Sequence, residues 1–264
     1  MFRHLAAVVL GLSALGAASA ADAAKKVTIR WYGQSFFQIV SSKGTRIVTD
    51  PHNIEALGYP PGIKADLITM SHNHNDHTMT SSVENGDKAK VLPGWKGDDK
   101  KADWNPIDEK FRDVHIKTVG VYHDDQHGKE RGKNSVFIFE VDGLRIVHLG
   151  DLGHLLNKTQ IKQIGTPDVL MIPVGGVFTI NGEEAKKVVA QLKPRRYIIP
   201  MHYGIGSFDD VLTADEFLDE QKKGNIKRSK GNELVVRTDF APAEPIIAML
   251  NYRSEAAERA AEGK

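Results

Sequence analysis

The chain has 264 residues, 41% of them hydrophobic and 26% charged, enough to bury a large core without covalent staples. Lys plus Arg number 35 against 34 for Asp plus Glu, so the balance of charge gives no reason to expect nucleic acid or an acidic membrane as partner. Cysteine is absent, which excludes disulfides and thiolate metal sites; any metal must sit on imidazole and carboxylate.

Residues 1–23 have the pattern of a secretory signal peptide. Arg3 and His4 precede an apolar run over 5–17, and small residues follow, so cleavage after Ala20 or Ala23 is expected. The run is shorter than the roughly 20 residues of a membrane span. The mature chain, 24–264, is therefore expected in the periplasm or outside the cell, with no membrane attachment after cleavage. It reads as a single domain with a short charged C-terminal tail.

Short apolar strands are expected at 27–32, 35–40, 46–49, 66–70 and 90–92. Residues 94–109, with Trp95 and Trp104, read as a loop. Further strands are expected at 114–122, 135–141 and 144–149; the last two flank Asp142-Gly143, a strong hairpin signal. The second half alternates strands (168–173, 197–201) with a helix through about 192, which Asn181 and Glu184 can cap reciprocally. Thr213 and Glu216 repeat that spacing before Phe217. A late strand at 233–238 and a tail from 255, read as a short helix or a frayed end, complete a mixed α/β layered domain.

The informative stretch is SHNHNDH, residues 71–77. Three of the eleven histidines fall within six residues, with Asp76 among them. A strand that ends in a loop can turn His72 and His74 to one side, because side chains alternate with period two. Asp76 and His77 follow where the chain must bend. Four donors on so short a loop suit a pair of zinc, manganese or iron ions better than one.

This HxHxDH pattern resembles the signature of the metallo-β-lactamase superfamily, and the order of the remaining motifs is similar from about Val27 to Thr238. Asp50 ends an early strand, His123 follows a later one, Asp151 lies in HLGDLG, and His202 lies in IPMHY. Pro173-Val-Gly-Gly176 and Met201-His-Tyr203 resemble the branch of ascorbate-6-phosphate lactonase-like and zinc-dependent hydrolase proteins. The resemblance implies a four-layer αββα sandwich, two mixed sheets flanked by helices with metals at one edge. It implies one metal on His72, His74 and His123, a second on Asp76, His77 and His202, and Asp151 as bridge. Asp50 would hold the histidine loop without touching metal. His127, four residues beyond His123, competes for that ligand position.

The implied chemistry is hydrolysis of a small ester, lactone or phosphodiester by hydroxide formed at two divalent cations, most simply Zn2+, with Mn2+ or Fe as alternatives. Asp76 would be the catalytic residue, orienting the nucleophile and passing a proton. The expected partner is a small-molecule substrate. A nuclease or phosphodiesterase, and a metal-binding module without turnover, are the alternatives. The glycines at 175 and 176 can either approach a substrate anion or make a tight turn. Lys129, Arg131 and Lys133 form a basic loop close to His123 that is either anion-binding or solvated. His154 is either at the substrate or at the surface; His52, His115 and His148 read as structural.

Overall fold

The computed structural model describes residues 24–58, 62–98, 102–206 and 208–262; the expected signal peptide lies outside them. β1 (Lys26–Trp31) buries Val27, Ile29 and Trp31 and leaves the alternate residues at least partly exposed, the period of a strand with one face in a core. It pairs antiparallel with β2 (Phe37–Val40), and β2 with β3 (Arg46–Thr49). β4 (Leu67–Met70) and β5 (Lys90–Pro93) then extend the sheet in parallel.

Segment 94–109 is not all loop. Trp95 and Trp104 face each other across a ribbon of β6 (Trp95–Lys96) and β7 (Asp103–Trp104), and β8 (Asp108–Phe111) starts the second sheet. These strands lack apolar alternation because a distant contact holds them: the Trp104 indole N–H donates to the Val121 and Asn134 carbonyls. β9 (Val114–Tyr122), β10 (Lys133–Val141) and β11 (Leu144–His148) form an antiparallel meander. Asp142 and Gly143 both turn left-handed, at φ 53° and 81°, between the last two.

Beyond β11 the chain alternates. α1 (Lys158–Ile164) precedes β12 (Val169–Pro173), and α2 (Gly182–Leu192) precedes β13 (Tyr197–Met201). α3 (Asp215–Leu218), β14 (Ile226–Arg228), β15 (Glu233–Arg237), β16 (Ile246–Met249) and α4 (Glu255–Glu262) follow. β12 and β13 are buried at every position, as parallel strands covered on both faces must be. The strand orders are β15-β1-β2-β3-β4-β5 and β14-β16-β13-β12-β11-β10-β9-β8.

The two sheets face each other across one core, in which Ile29, Trp31 and Phe37 meet Ile116, Phe137, Phe139 and Val147. Ile164, Val188, Leu192 and Phe217 bring α1, α2 and α3 onto the other face of the larger sheet. The outer face of the smaller sheet is closed by turns, through Phe36, Val48, Ile68, Ile63 and Val83. This is the mixed α/β sandwich that the resemblance implies.

Asn181 and Glu184 cap α2 reciprocally as expected, and Asn157 with Gln160 does the same for α1, a helix the sequence reading passed over. The expected box at Thr213 and Glu216 does not form. α3 starts from Ala214 with no side-chain cap, because the Thr213 hydroxyl donates to Asp215. Glu216 instead accepts the Gly182 N–H at 2.7 Å, so it serves the start of α2.

Asp66 locks β4 to β3. Its carboxylate accepts the Arg46 backbone N–H at 2.9 Å and the Arg46 guanidinium at 2.9 and 3.1 Å, with Arg112 at 3.0 Å. Arg46 holds the Asp66 carboxyl down to about 2 from its ordinary 3.8. A folded-state pKa below the unfolded one adds stability above the unfolded pKa and loses it as pH falls through the folded one. Asp66→Asn should therefore cost about 1–2 kcal/mol near pH 7, discounted for the half-exposed Arg46. The gap in thermal midpoint from the parent should close between about pH 4 and pH 2; a gap constant with pH would contradict this account.

Candidate metal centre

Asp50 follows β3 with a left-handed backbone, φ 45°. This corner turns its carboxylate back onto the chain leaving β4. One oxygen accepts the Ser71 N–H at 2.6 Å, and the other accepts the Ser71 hydroxyl at 2.6 Å. The second oxygen also lies 3.0 Å from His77 Nδ1. With its proton given to Asp50, Ser71 Oγ accepts from His72 Nδ1 at 2.9 Å. Both imidazoles are thereby held with Nδ1 donating and Nε2 directed elsewhere.

Three other segments reach the same place. His123 follows β9, Asp151 follows β11 and His202 follows β13, itself left-handed at φ 51°. Two glycines permit this crowding. A Cβ on Gly153 would lie 2.3 Å from the His123 carbonyl carbon, and one on Gly175 would lie 2.3 Å from the His202 oxygen. Asp151 is fixed by the Ser35 hydroxyl, which donates to Oδ1 at 3.0 Å, and by Asn134, which accepts its N–H. Neither Ser35 nor Asn134 was singled out in the sequence, since a serine in a strand corner and an asparagine in a strand carry no pattern of their own.

Asp151 Oδ2 stands in the middle. It is 3.0 Å from His202 Nε2, 3.2 Å from His77 Nε2, 3.4 Å from His123 Nε2 and 4.0 Å from His72 Nε2. Ligand atoms fall into three sets, each within 4.8 Å of one another: His72, His74 and His123; His72, His77 and Asp151; and Asp76, His77 and His202. All seven expected ligand residues thus come together. His123, not His127, is the member of the cluster; the His127 ring packs on Tyr122.

The donors fit a metal. His72 Nε2 and His77 Nε2, both directed at Asp151 Oδ2, are buried with no well-formed hydrogen bond among the described residues, a costly state for polar atoms. Burial keeps His72 and His74 below their usual pKa and His123 down at about 4, so their lone pairs are available. Burial also opposes charge on His77, but Asp151, Asp50 and Asp76 outweigh it and raise its pKa well above the ordinary value. For Asp151 burial pushes upward, and the His202 and His77 imidazoles prevail to hold it well below the carboxylate range. Surplus negative charge around His77 is what a cation would neutralise.

The remaining histidines have local partners. His52 is close to the Gly33 carbonyl and accepts the Ile54 N–H; His148 meets the Ser35 carbonyl and accepts the Gly150 N–H; His115 lies between Asp108 and Glu140. His154 accepts the Tyr122 N–H and contacts the Leu155 carbonyl. Gly175 N–H donates to His202 O and Gly176 N–H to Ile180 O, so these glycines make a turn and offer no donor to an anion.

Comparison with known proteins identifies the family. The model of the β-lactamase superfamily domain matches residues 28–202. A UPF0173 metal-dependent hydrolase of Thermococcus onnurineus is 32% identical over 193 residues, 67% of this chain and 84% of the relative. Another from Cupriavidus taiwanensis is 30% identical over 218 residues, covering 69% and 76%. A Thermotoga maritima structure assigned to the Zn-dependent hydrolases of the metallo-β-lactamase superfamily superposes with a TM-score of 0.63 at 33% identity, covering 85% of this chain and 98% of its own. A metallo hydrolase from Ignicoccus hospitalis shares the fold, with a TM-score of 0.56 at 20% identity over 81% of this chain and 99% of that one. The chain belongs to the metallo-β-lactamase superfamily and, within it, to the UPF0173 metal-dependent hydrolase family.

Replacing Asp50 by Asn leaves the volume but loses the charge that orients Ser71 and His77. Metal affinity should fall about 10- to 100-fold, measured by competition against a chromophoric chelator. Unchanged affinity in a folded variant would remove Asp50 from the design of the centre.

Proposed function

We propose that this metal-dependent hydrolase is binuclear and cleaves a small ester, lactone or phosphodiester, with water as the nucleophile. The supporting observation is the position of Asp151 Oδ2 between the His72–His74–His123 set and the Asp76–His77–His202 set. In this reading each set holds one divalent cation, most simply Zn2+, and Asp151 serves both. Bound there, the cations supply Lewis acidity toward a carbonyl or phosphoryl oxygen and acidify water.

The chain's own residues set the rest. It has no cysteine, and the nearby serine hydroxyls are committed, Ser35 to Asp151 and Ser71 to Asp50. Neither is arranged as an activated nucleophile. Asp76 is the partly exposed carboxylate of the cluster, 45% accessible and 3.5 Å from His77 Nε2. Burial raises its pKa, but the nearby His77 imidazole prevails and brings it to about 2. Asp76 is therefore ionised at neutral pH and orients water by accepting its hydrogen bond, while so low a pKa makes it a weak base toward that proton. Export to the periplasm or beyond, read from residues 1–23, belongs to the same proposal.

The test is metal analysis together with turnover of a lactone, an ester, a thioester and a phosphodiester. Two metals per chain and hydrolysis of at least one are expected. Asp76→Ala should lower kcat by about 10²- to 10⁴-fold with the fold retained. Two bound metals and no turnover of any substrate would point to a binding module instead, and one metal per chain would end the binuclear reading.

A further inference from the structure

Two loops meet beside the cluster. The first, residues 124–132, follows His123. Asp124 is only 4% exposed, and its carboxylate accepts the backbone N–H groups of Gln126, Gly128, Glu130 and Arg131 at 2.7–3.1 Å. Four charge-assisted bonds to one carboxylate fix the shape of the loop without help from outside it. The second loop, residues 174–181, is pinned beside His202 through the Gly175 N–H and beside Leu152 through the Ile180 N–H.

The loops touch through one pair of side chains. The Arg131 guanidinium lies over the Phe178 ring, 5.6 Å from its centroid. Phe178 is 42% exposed, so its open surface faces solvent and the guanidinium. The Gly132 carbonyl, next to Arg131, accepts the His123 N–H at 3.0 Å, which places this stretch of the loop beside the histidine set. Stacking uses the flat face of a guanidinium and leaves its N–H edge for a ligand. Among the described residues, only Nη1 has a partner, Glu130, at 3.3 Å, while Nε and Nη2 make no hydrogen bond.

We infer that Arg131, stacked on Phe178 and held by the Asp124 loop, binds an anionic group of the substrate, a carboxylate or a phosphate, beside the bond that is hydrolysed. This rests on the hydrolase reading above and narrows its substrate to molecules with a second, negatively charged end. A rigid loop matters because a fork pre-set for a carboxylate or phosphate loses little freedom when it binds. Exposed Val177 next to Phe178 offers apolar surface to the portion between the two ends. Glu130 works against binding, since it shares the guanidinium.

The experiment uses the Zn2+-loaded protein and three 4-nitrophenyl esters of matched chain length: a neutral one, one ending in a carboxylate and one ending in a phosphate. The readout is the ratio of kcat/KM for each anionic ester to that for the neutral ester. Arg131→Ala should lower this ratio about tenfold to a hundredfold, the loss of a charge-assisted pair. Arg131→Lys should keep part of it, and Glu130→Gln should raise it, a gain that misfolding cannot mimic. Whichever anionic ester responds more identifies the carboxylate or the phosphate. Calorimetric binding of glutarate and of inorganic phosphate gives a readout without turnover. If no ester is hydrolysed but either anion binds at least tenfold more weakly to Arg131→Ala, the anion site stands and esters are struck from the substrates of the hydrolase reading. An unchanged ratio, or an unchanged Kd for both anions when nothing turns over, overturns the role of Arg131.

Discussion

At the end of β3 the Asp50 carboxylate turns back onto the chain leaving β4, and the histidine loop takes its shape from that contact. A left-handed backbone at a residue other than glycine costs about 1–2 kcal/mol. Hydrogen bonds to a charged group contribute about 1.5–3 kcal/mol each, and Asp50 makes two to Ser71 and faces His77 as well. The corner is thus more than offset, provided the loop adopts the one conformation that brings those groups to the carboxylate. In that conformation the Nε2 atoms of His72 and His77 lie 4.0 and 3.2 Å from the same Asp151 oxygen.

Opposite this loop, the larger sheet supplies its residues from strand ends. β9, β11 and β13 finish at the same edge, and His123 and His202 just past their ends, with Asp151 three residues past, are free of the ladder yet anchored by it. Such positions combine a fixed backbone with an unpaired side chain, as a polar cluster inside a sandwich requires. Close packing of the connecting turns depends on Gly153 and Gly175, where a methyl group has no room. The glycines at 175 and 176 are spent on a tight turn, and the basic loop carries the organised guanidinium.

Much of this was legible from the residues. The HxHxDH loop, the strand preceding it and the isolated Asp151 and His202 after apolar runs carried both the fold and the cluster, because each follows a buried strand with a strong pattern. The choice between His123 and His127 was not legible: both follow β9, and only the left-handed turn at His127 (φ 60°) and its packing on Tyr122 separate them. The ribbon around Trp95 and Trp104 was missed because its order comes from carbonyls across the sheet rather than from its own alternation. Thr213 and Glu216 had the right spacing for a capping box, yet a neighbouring aspartate and a neighbouring helix took their hydrogen bonds. Local spacing decides such matters only where nothing distant competes.

The division of the donors between the sheets has a thermodynamic corollary. His72, His74, Asp76 and His77 ride on the smaller sheet, whereas His123, Asp151 and His202 ride on the larger one. The complete set exists only while the two halves are docked, so a bound cation acts as a clasp between them and favours the assembled state over every partly opened one. At a free concentration a hundred times its dissociation constant, such a ligand adds about 2.7 kcal/mol to the unfolding free energy. For a chain without a disulfide, any metal that serves the chemistry would also be a removable cross-link.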